Sequence, residues 1–172
     1  MIKVPQVVNR YNVYRGGNKL IGLSGEVTLP TITYLVDSQE GAGTGGNLDV
    51  PVIGLIDNME VQINFLTINQ DIFSMADPTE GELLTIRGAL QGIDPATQKI
   101  VYTSVAITMG GTVSEINPGT MKAGGKMEAS IKLNLTRYKV VLDDVVALEI
   151  DKMNSVYTLN GKDILKEVRD MC

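Results

Sequence analysis

The stretch Asn58–Thr67 (NMEVQINFLT) alternates polar and apolar residues from its first position through Phe65. Successive side chains of an extended chain point to opposite faces, so this period of two is typical of a strand with one face in a core. The stretch therefore predicts a half-buried β-strand. Its apolar face comprises Met59, Val61, Ile63 and Phe65, and its polar face comprises Asn58, Glu60, Gln62 and Asn64.

The stretch Met127–Thr136 (MEASIKLNLT) shows the same alternation and predicts a second strand of the same kind. Its apolar face comprises Met127, Ala129, Ile131, Leu133 and Leu135, and its polar face comprises Glu128, Ser130, Lys132, Asn134 and Thr136. Beyond Arg137 the apolar residues change parity, with Tyr138 as the first of the new set. Because one extra residue moves every later side chain to the other face, we expect a β-bulge or a bend near Arg137.

Most of the remaining chain also has strand-like patterns, and its 172 residues fit one mainly β domain over 1–172. Short helices are predicted at Gln70–Ala76, after an N-cap at Asn69 or Thr67, and at Ile164–Met171. A long hairpin arm is expected around 31–67. The further predicted strands are Asn12–Arg15, Lys19–Thr28, Thr31–Ser38, Leu83–Ile93, Lys99–Met109, Ala147–Lys152 and Val156–Leu159.

Composition argues against several classes of function. The chain has no histidine, the commonest general base and zinc ligand, and its single cysteine, Cys172, cannot form an internal disulfide. A net charge of −5 and an aromatic content of 5% disfavour binding to phosphate backbones and stacking on bases. The chain lacks a leader-like N-terminus and an apolar run of membrane-spanning length, which predicts a soluble protein made in the cytoplasm.

Two glycine-rich stretches interrupt the strands, Gly41–Asp49 (GAGTGGNLD) and Pro118–Lys126 (PGTMKAGGK). The first contains a G-x-G-x-x-G spacing, but the following NLDVP cannot begin the helix that a dinucleotide site requires. The second has Thr120 and Met127 where a phosphate loop needs glycine and a hydroxyl residue. Both stretches are interpreted either as solvated loop tips or as segments that become ordered on a neighbouring copy.

Carboxylates cluster at Asp143-Asp144 and at Glu149 and Asp151, so paired-acid catalysis or a calcium site has to be weighed. Glu149 and Asp151 share one face of a predicted strand whose other face is apolar, and an exposed acidic face is the simpler interpretation. We assign no catalytic, cofactor-binding or metal-binding residue. An enzyme that uses this acidic cluster remains an alternative.

From about Asn9 to about Met171, a collinear series of short blocks resembles the major tail tube proteins of contractile-tailed bacteriophages and the related R-type bacteriocins. In chain order the blocks are Tyr11-Asn12-Val13-Tyr14, Leu20-Ile21-Gly22, Val27-Thr28-Leu29-Pro30, Glu40-Gly41-Ala42-Gly43 with Gly46 and Asp49, Pro51-Val52-Ile53-Gly54, Met59-Glu60-Val61, Ile86-Arg87-Gly88-Ala89, Pro118-Gly119, Gly125-Lys126-Met127, Leu148-Glu149-Ile150-Asp151-Lys152-Met153-Asn154 and Asn160-Gly161-Lys162-Asp163.

The resemblance implies a small β-sandwich or barrel with a flanking helix. It also implies a homohexameric ring whose inner wall is one continuous β-barrel, and rings that stack into a tube inside a contractile sheath. DNA would pass through during ejection without specific binding. The implied partners are further copies of the chain and the sheath, tape measure, baseplate and tail terminator proteins. The implied location is the virion tail, assembled in the host bacterial cytoplasm. The tube of a type VI secretion system is a further alternative.

Within that picture, the polar strand faces are candidates to line the lumen: Glu60, Gln62, Asn64, Glu128, Ser130, Lys132 and Asn134. Lys132 fits a wall that conducts DNA only if a carboxylate lies beside it. Candidates for contacts between rings or subunits lie in the first glycine-rich stretch: Gly41, Gly43, Gly45, Gly46, Asn47 and Asp49. Arg15 and Lys19 are candidates for an outer face that meets the sheath.

Overall fold

The computed structural model describes residues 4–21, 23–40 and 46–172. Strands make up 60% of the structure and helices 7%, which confirms the mainly β prediction. The elements are β1 (Val4–Arg15), β2 (Asn18–Lys19), β3 (Leu23–Thr28), β4 (Tyr34–Gln39), β5 (Leu48–Ile56), β6 (Met59–Phe65), α1 (Gln70–Ser74), β7 (Glu82–Ile93), β8 (Ile100–Asn117), β9 (Ala129–Leu142), β10 (Val145–Asp151), β11 (Val156–Leu159), β12 (Lys162–Asp163) and α2 (Lys166–Met171).

Ten of the strands form one antiparallel sheet in the order β12-β11-β10-β9-β8-β7-β1-β2, and β6 joins β9 with β3 beyond it. The long strand β9 is the branch point. One of its sides pairs with β8 along nearly its whole length. On the other side, residues 129–135 pair with β6 and residues 137–142 pair with β10. The sheet therefore has two halves that share β8 and β9.

Buried side chains from both halves belong to one core. Met59, Val61, Ile63 and Phe65 of β6 are fully buried, as the alternation of that stretch predicts. Val13, Leu84 and Met109 from the other half join the same cluster. Since each buried aliphatic side chain stabilises the fold by roughly 1.5–3 kcal/mol, this shared core holds the two halves face to face.

The expected irregularity in β9 is confirmed. Gly110 pairs with Arg137 and Gly111 pairs with Leu135, which leaves Thr136 without a partner in the register. Leu135 and Tyr138 are both buried although they differ in parity. The extra residue thus lets both ends of β9 turn their apolar side toward the core, because the bulge resets the alternation where the sheet bends.

Helix α1 begins after Asn69, one of the two predicted caps, because the Asn69 side-chain oxygen accepts a hydrogen bond from the Ile72 amide at 3.1 Å, and it ends at Ser74, two residues before the predicted end. Arg15 fixes the helix to the sheet. Its guanidinium donates to the Ser74 hydroxyl and carbonyl at 2.7 and 2.9 Å and forms an ion pair with the buried Glu82. The hydrogen bond with Glu82 and the charge of Glu82 both raise the pKa of Arg15. The Arg15 side chain is therefore bound to groups of its own subunit.

Helix α2 starts two residues later than predicted, because the Ile164 amide donates to the Tyr157 carbonyl at 2.8 Å and still belongs to the sheet. The segment 31–67 falls into two parts. β4 and β5 form a separate two-stranded sheet, whereas β6 belongs to the main sheet. Among the described residues, no helix is long and apolar enough to cross a membrane.

Candidate functional site

The polar sides of β6 and β9 adjoin each other, and we call them together the polar face, within which Ser130 is buried. Glu60 lies opposite Asn134, Gln62 opposite Lys132, and Asn64 opposite Ser130. Directly opposed residues of antiparallel strands share a face, so the structure brings together six of the seven residues that the alternation selected. The reverse side of the same strands is the core.

Hydrogen bonds order this surface. The Asn58 side-chain amide donates to the Glu60 carboxylate and to the Asn134 side-chain oxygen, both at 3.1 Å. The Gln62 amide donates to the Asn64 side-chain oxygen at 2.8 Å. These hydrogen bonds link neighbouring polar side chains along both strands of the polar face.

Glu128, the seventh residue, lies one position before β9 and has a left-handed backbone with φ of 57°. It lines a recess of about 470 Å³ together with Gln62, Asn64 and Ser130. Glu128 therefore borders the polar face at its end rather than standing in its row. The backbone twist at this position interrupts the strand geometry on which the simple alternation relied.

Lys132 has a carboxylate beside it. Its amino group lies 2.8 Å from the Glu115 carboxylate, and this hydrogen bond and ion pair, with a smaller effect of Glu60, raise the pKa of Lys132. Sequence reasoning did not select Glu115, because the β8 strand was expected to end at Met109. The strand continues instead to Asn117 and adds Thr112, Glu115 and Asn117 opposite residues of the polar face.

The polar face lies between two strand edges that have no partner among the described residues. β3 pairs with β6 on one side alone. On β8, residues 112–117 pair with β9, whereas the contact with β7 ends at Gly111. β3, β6, residues 129–135 of β9 and residues 112–117 of β8 thus form a four-stranded unit with an open edge on each side, and open edges are templates for pairing with another chain.

The β4–β5 hairpin presents apolar side chains to solvent. The exposed set comprises Leu35, Val36, Leu48, Val52, Ile53 and Leu55. At its base, the hydroxyl groups of Tyr34 and Tyr157 form a hydrogen bond. Burial, followed by this hydrogen bond, raises the pKa of Tyr157 to about 12. The hairpin is therefore anchored near β11.

Of the six glycine-rich loop candidates, Gly41, Gly43 and Gly45 lie outside the described residues. Gly46 and Asn47 are exposed next to β5, and Asp49 lies within β5 opposite Ser38 of β4. The loop thus connects the two strands of the hairpin. Arg15, one of the two candidates for an outer contact, is engaged by Glu82 and Ser74, whereas Lys19 is exposed.

The acidic cluster has structural partners. Asp143 accepts a hydrogen bond from the Ser104 amide at 2.9 Å, and Asp151 accepts from the amides of Met153 and Asn154 at 3.0 Å. Glu149 is not part of a bare acidic surface, because Arg137 and Lys139 form ion pairs with it at 3.4 and 3.2 Å. In the described part of the chain, no three histidine, cysteine or acidic residues are grouped so that they could hold a metal ion.

Comparisons with known proteins place the chain in a family. A family model described as "Phage tail tube protein FII" matches residues 5–171. The chain is 28% identical over 171 residues to the tail tube protein of Escherichia phage P2, covering 96% of each chain. It is 26% identical over 174 residues to the major tail tube protein of Serratia phage KSP20, covering 94% of this chain and 91% of that protein.

Among the solved structures that share the fold are two from PVC, an extracellular contractile injection system. The sheath/tube terminator structure has a TM-score of 0.56 and 14% identity, covering 81% of this chain and 99% of that chain. The sheath–tube complex has a TM-score of 0.51 and 16% identity, covering 79% and 90%. With a family match that spans nearly its whole length, the chain belongs to the phage tail tube protein FII family of structural tail tube subunits.

Proposed function

We propose that six copies of this chain close into a ring by pairing the open edge of β3 in one copy with residues 112–117 of β8 in the next. Rings of this kind then stack into the tail tube. Each copy contributes its four-stranded unit to an inner barrel, with the polar face toward the lumen and the core behind it. The observation that carries this proposal is the four-stranded unit with two open edges.

Closure into a ring would protect the open strand edges from aggregation. Long amphipathic strands with unpaired main-chain groups aggregate unless the edge is covered or paired. A barrel abolishes the edges altogether. A contact between two different edges is heterologous, and it closes into a ring when the rotation between copies divides a full turn.

The dimensions allow a duplex to pass. Six units of four strands give ~24 strands, which at a spacing of ~4.7 Å and a tilt of ~45° enclose a backbone diameter of roughly 50 Å. Side chains on the inner wall reduce the bore to about 40 Å, and a duplex about 20 Å wide fits within it.

The charges of the polar face suit a wall that does not retain DNA. Carboxylates outnumber amino groups on the polar face and along its borders, with Glu26, Glu60, Glu115 and Glu128 against Lys126 and Lys132. Glu115 engages the amino group of Lys132. An acidic wall repels phosphates, so DNA passes without specific binding.

The remaining partners follow from the place of a tube in a tail. The β4–β5 hairpin, with the loop that joins its strands, reaches a neighbouring subunit or the next ring. The sheath protein surrounds the tube, the tape measure protein fills it during assembly, and baseplate and tail terminator proteins close its ends. Assembly takes place in the host bacterial cytoplasm, and the product is part of the virion tail.

A second candidate is the tube of a contractile particle without a genome. The fold shared with an extracellular contractile injection system favours it, as an R-type bacteriocin tube or a type VI secretion tube would use the same architecture. Capsid genes beside the sheath and baseplate genes would indicate a phage tail. Their absence from a complete tail cluster would indicate the second candidate.

Amide hydrogen exchange on free and assembled chain tests the proposed pairing. The outward amides of residues 23–28 and 112–117 should exchange at least about tenfold more slowly after assembly, because a neighbour's carbonyls accept their hydrogen bonds. Lys162–Asp163 of β12 provides an internal control whose protection should not change. Assembled tubes in which both open edges keep their free exchange rates would contradict the proposal.

A further inference from the structure

We propose that Leu165, the residue before α2, is a positioning residue that fixes the direction in which the β4–β5 hairpin leaves its own subunit. The inference concerns contacts within one chain. Its consequence for assembly rests on the proposed tube function, in which the hairpin reaches a neighbouring subunit or ring.

The ladder of the hairpin is interrupted near its base. Tyr34 pairs with Ile56 and Val36 pairs with Pro51, so four residues of β5, 52–55, lie opposite a single residue of β4. Extra residues on one strand disrupt the ladder locally and bend that strand. The hairpin therefore has a base and an outer ladder, and the interrupted pairing does not by itself fix the angle between them.

Hydrogen bonds attach the base of the hairpin to the rest of the subunit. The hydroxyl groups of Tyr34 and Tyr157 are bonded to each other. The Asp57 amide donates to the Thr33 carbonyl at 2.8 Å, and the Lys152 amino group donates to the Asp57 carbonyl at 2.7 Å. These bonds hold residues on the near side of the interruption, and the outer ladder needs a support of its own.

Leu165 meets the hairpin within the interruption, at Gly54. The φ of Gly54 is 89°, in the left-handed region that favours glycine. The three atoms nearest to a Cβ placed on Gly54 all belong to the Leu165 side chain, which is 7% exposed and part of the core. A recess of about 230 Å³ separates the hairpin from β10 and β11 beside this contact. Leu165 thus joins the bent part of β5 to the core where the surfaces otherwise leave a gap.

Hydrogen bonds around α2 hold Leu165 in place. The Leu165 amide donates to the Asp163 carboxylate at 3.1 Å. Arg169 forms an ion pair with the same carboxylate and donates to the Ser155 carbonyl at 2.9 Å. The hydrogen bond with Arg169 is the main cause that lowers the pKa of Asp163. α2 is therefore tied to the residue before β11, and this connection holds Leu165 against the hairpin.

A distance measurement on the free subunit tests the proposal. Spin labels on Ser38→Cys, in the outer ladder, and on Lys99→Cys, before β8, report the direction of the hairpin in a Cys172→Ser background. The otherwise unchanged chain should give one narrow distance distribution. Leu165→Ala should widen it by about twofold or more, because the outer ladder loses its support. Leu165→Met nearly conserves the side-chain volume and should leave the distribution unchanged.

Gly54→Ala approaches the same contact from the hairpin and leaves the core side chain in place. Its methyl group would overlap Leu165, so the distribution should shift or widen even if Leu165→Ala does not fold. Gly124→Ala is the matched control, since Gly124 has a φ of 75° but no atom within 4 Å of an added Cβ, and its distribution should be unchanged. Far-ultraviolet circular dichroism and the melting temperature establish which variants are folded. A folded Leu165→Ala or Gly54→Ala variant with the original distribution, or a broad distribution in the unchanged chain, would overturn the proposal.

The same variants measure the consequence for assembly. In Leu165→Ala and Gly54→Ala the critical concentration for tube formation should rise by roughly fivefold or more, because binding weakens with the fraction of subunits whose hairpin has the productive direction. Leu165→Met and Gly124→Ala should assemble like the wild type. Wider distances with unchanged tube formation would support the role of Leu165 and contradict the contact that the proposed function gives to the hairpin. The two failures are therefore distinguishable.

Discussion

Lys132 of β9 and Glu115 of β8 lie opposite each other on the polar face, with the amino nitrogen 2.8 Å from a carboxylate oxygen. Both side chains are solvent-accessible, so the ion pair contributes little to folding stability. Its effect is on the surface charge. The amino group that would otherwise attract phosphate is held by a carboxylate, and the polar face stays compatible with an inner wall along which DNA slides.

Reversing charge on the polar face should slow genome ejection while tubes still assemble. Glu60→Lys with Glu128→Lys replaces repulsion of phosphates by attraction along the wall. The measurement is the rate of DNA release from tails built with the variant. Glu167→Lys with Asp170→Lys, on exposed α2, is the matched control and should release DNA at the wild-type rate. An unchanged rate in the first variant would remove these residues from the lumen.

Gly111→Ala should destabilise the subunit by about 1–3 kcal/mol, which is typical of overpacking. A methyl group on Gly111 would collide with the carbonyl oxygen of Asn134, beside the bulge that lets β9 turn its apolar side to the core. Denaturant unfolding measures the loss. Gly125→Ala is the control, since the nearest atoms to an added methyl group belong to Lys122 at an ordinary contact distance of 3.5 Å, and its effect should stay within about 0.5 kcal/mol. Equal stability of the two variants would refute the packing argument.

Subunit stability should fall at alkaline pH between about 10 and about 12. Folding raises the pKa of Tyr157 from 10.0 to about 12, mainly by burial and further by the hydrogen bond with Tyr34. The folded state thus favours the protonated hydroxyl, and that stabilisation is complete below pH 10 and disappears as pH rises through the folded pKa. Unfolding free energies measured across this range should show a shallower decline for Tyr157→Phe. Identical slopes for the variant and the wild type would count against this linkage.

Deleting residues 41–49 should leave folded subunits that fail to polymerise, because we propose that the β4–β5 hairpin and its loop reach a neighbouring copy. Size-exclusion chromatography and electron microscopy report the outcome. A deletion of 122–125 in the exposed loop before β9 is the control and should still form tubes. Long tubes from the first deletion would show that this segment is dispensable.

The sequence was sufficient where structure depends on local pattern. The alternation around Ile63 and Ile131 identifies β6, β9 and their buried faces, and Asn69 marks the start of α1 because a cap acts on its own helix. The parity change near Arg137 locates the bulge at Thr136. In these places a few neighbouring residues contain the whole signal.

Long-range features were missed. Gly110-Gly111 indicates the end of a strand when read alone, yet β8 continues through it because Gly111 packs closely against β9. Glu115 consequently stayed outside the predicted polar face. Arg15 was expected on an outer surface, whereas its partner Glu82 lies 67 residues away in sequence. Contacts between distant strands leave no periodic trace in either strand, so pairing and ion pairs of this kind require the structure.

Electron microscopy of the purified chain at high concentration tests the self-assembly of this subunit most directly. We expect hollow tubes with six-fold symmetry in projection and a bore of about 40 Å, which is the backbone diameter of ~24 tilted strands less the side chains on the inner wall. A chain that remains a single particle at every concentration and salt, with no rings, would contradict the account.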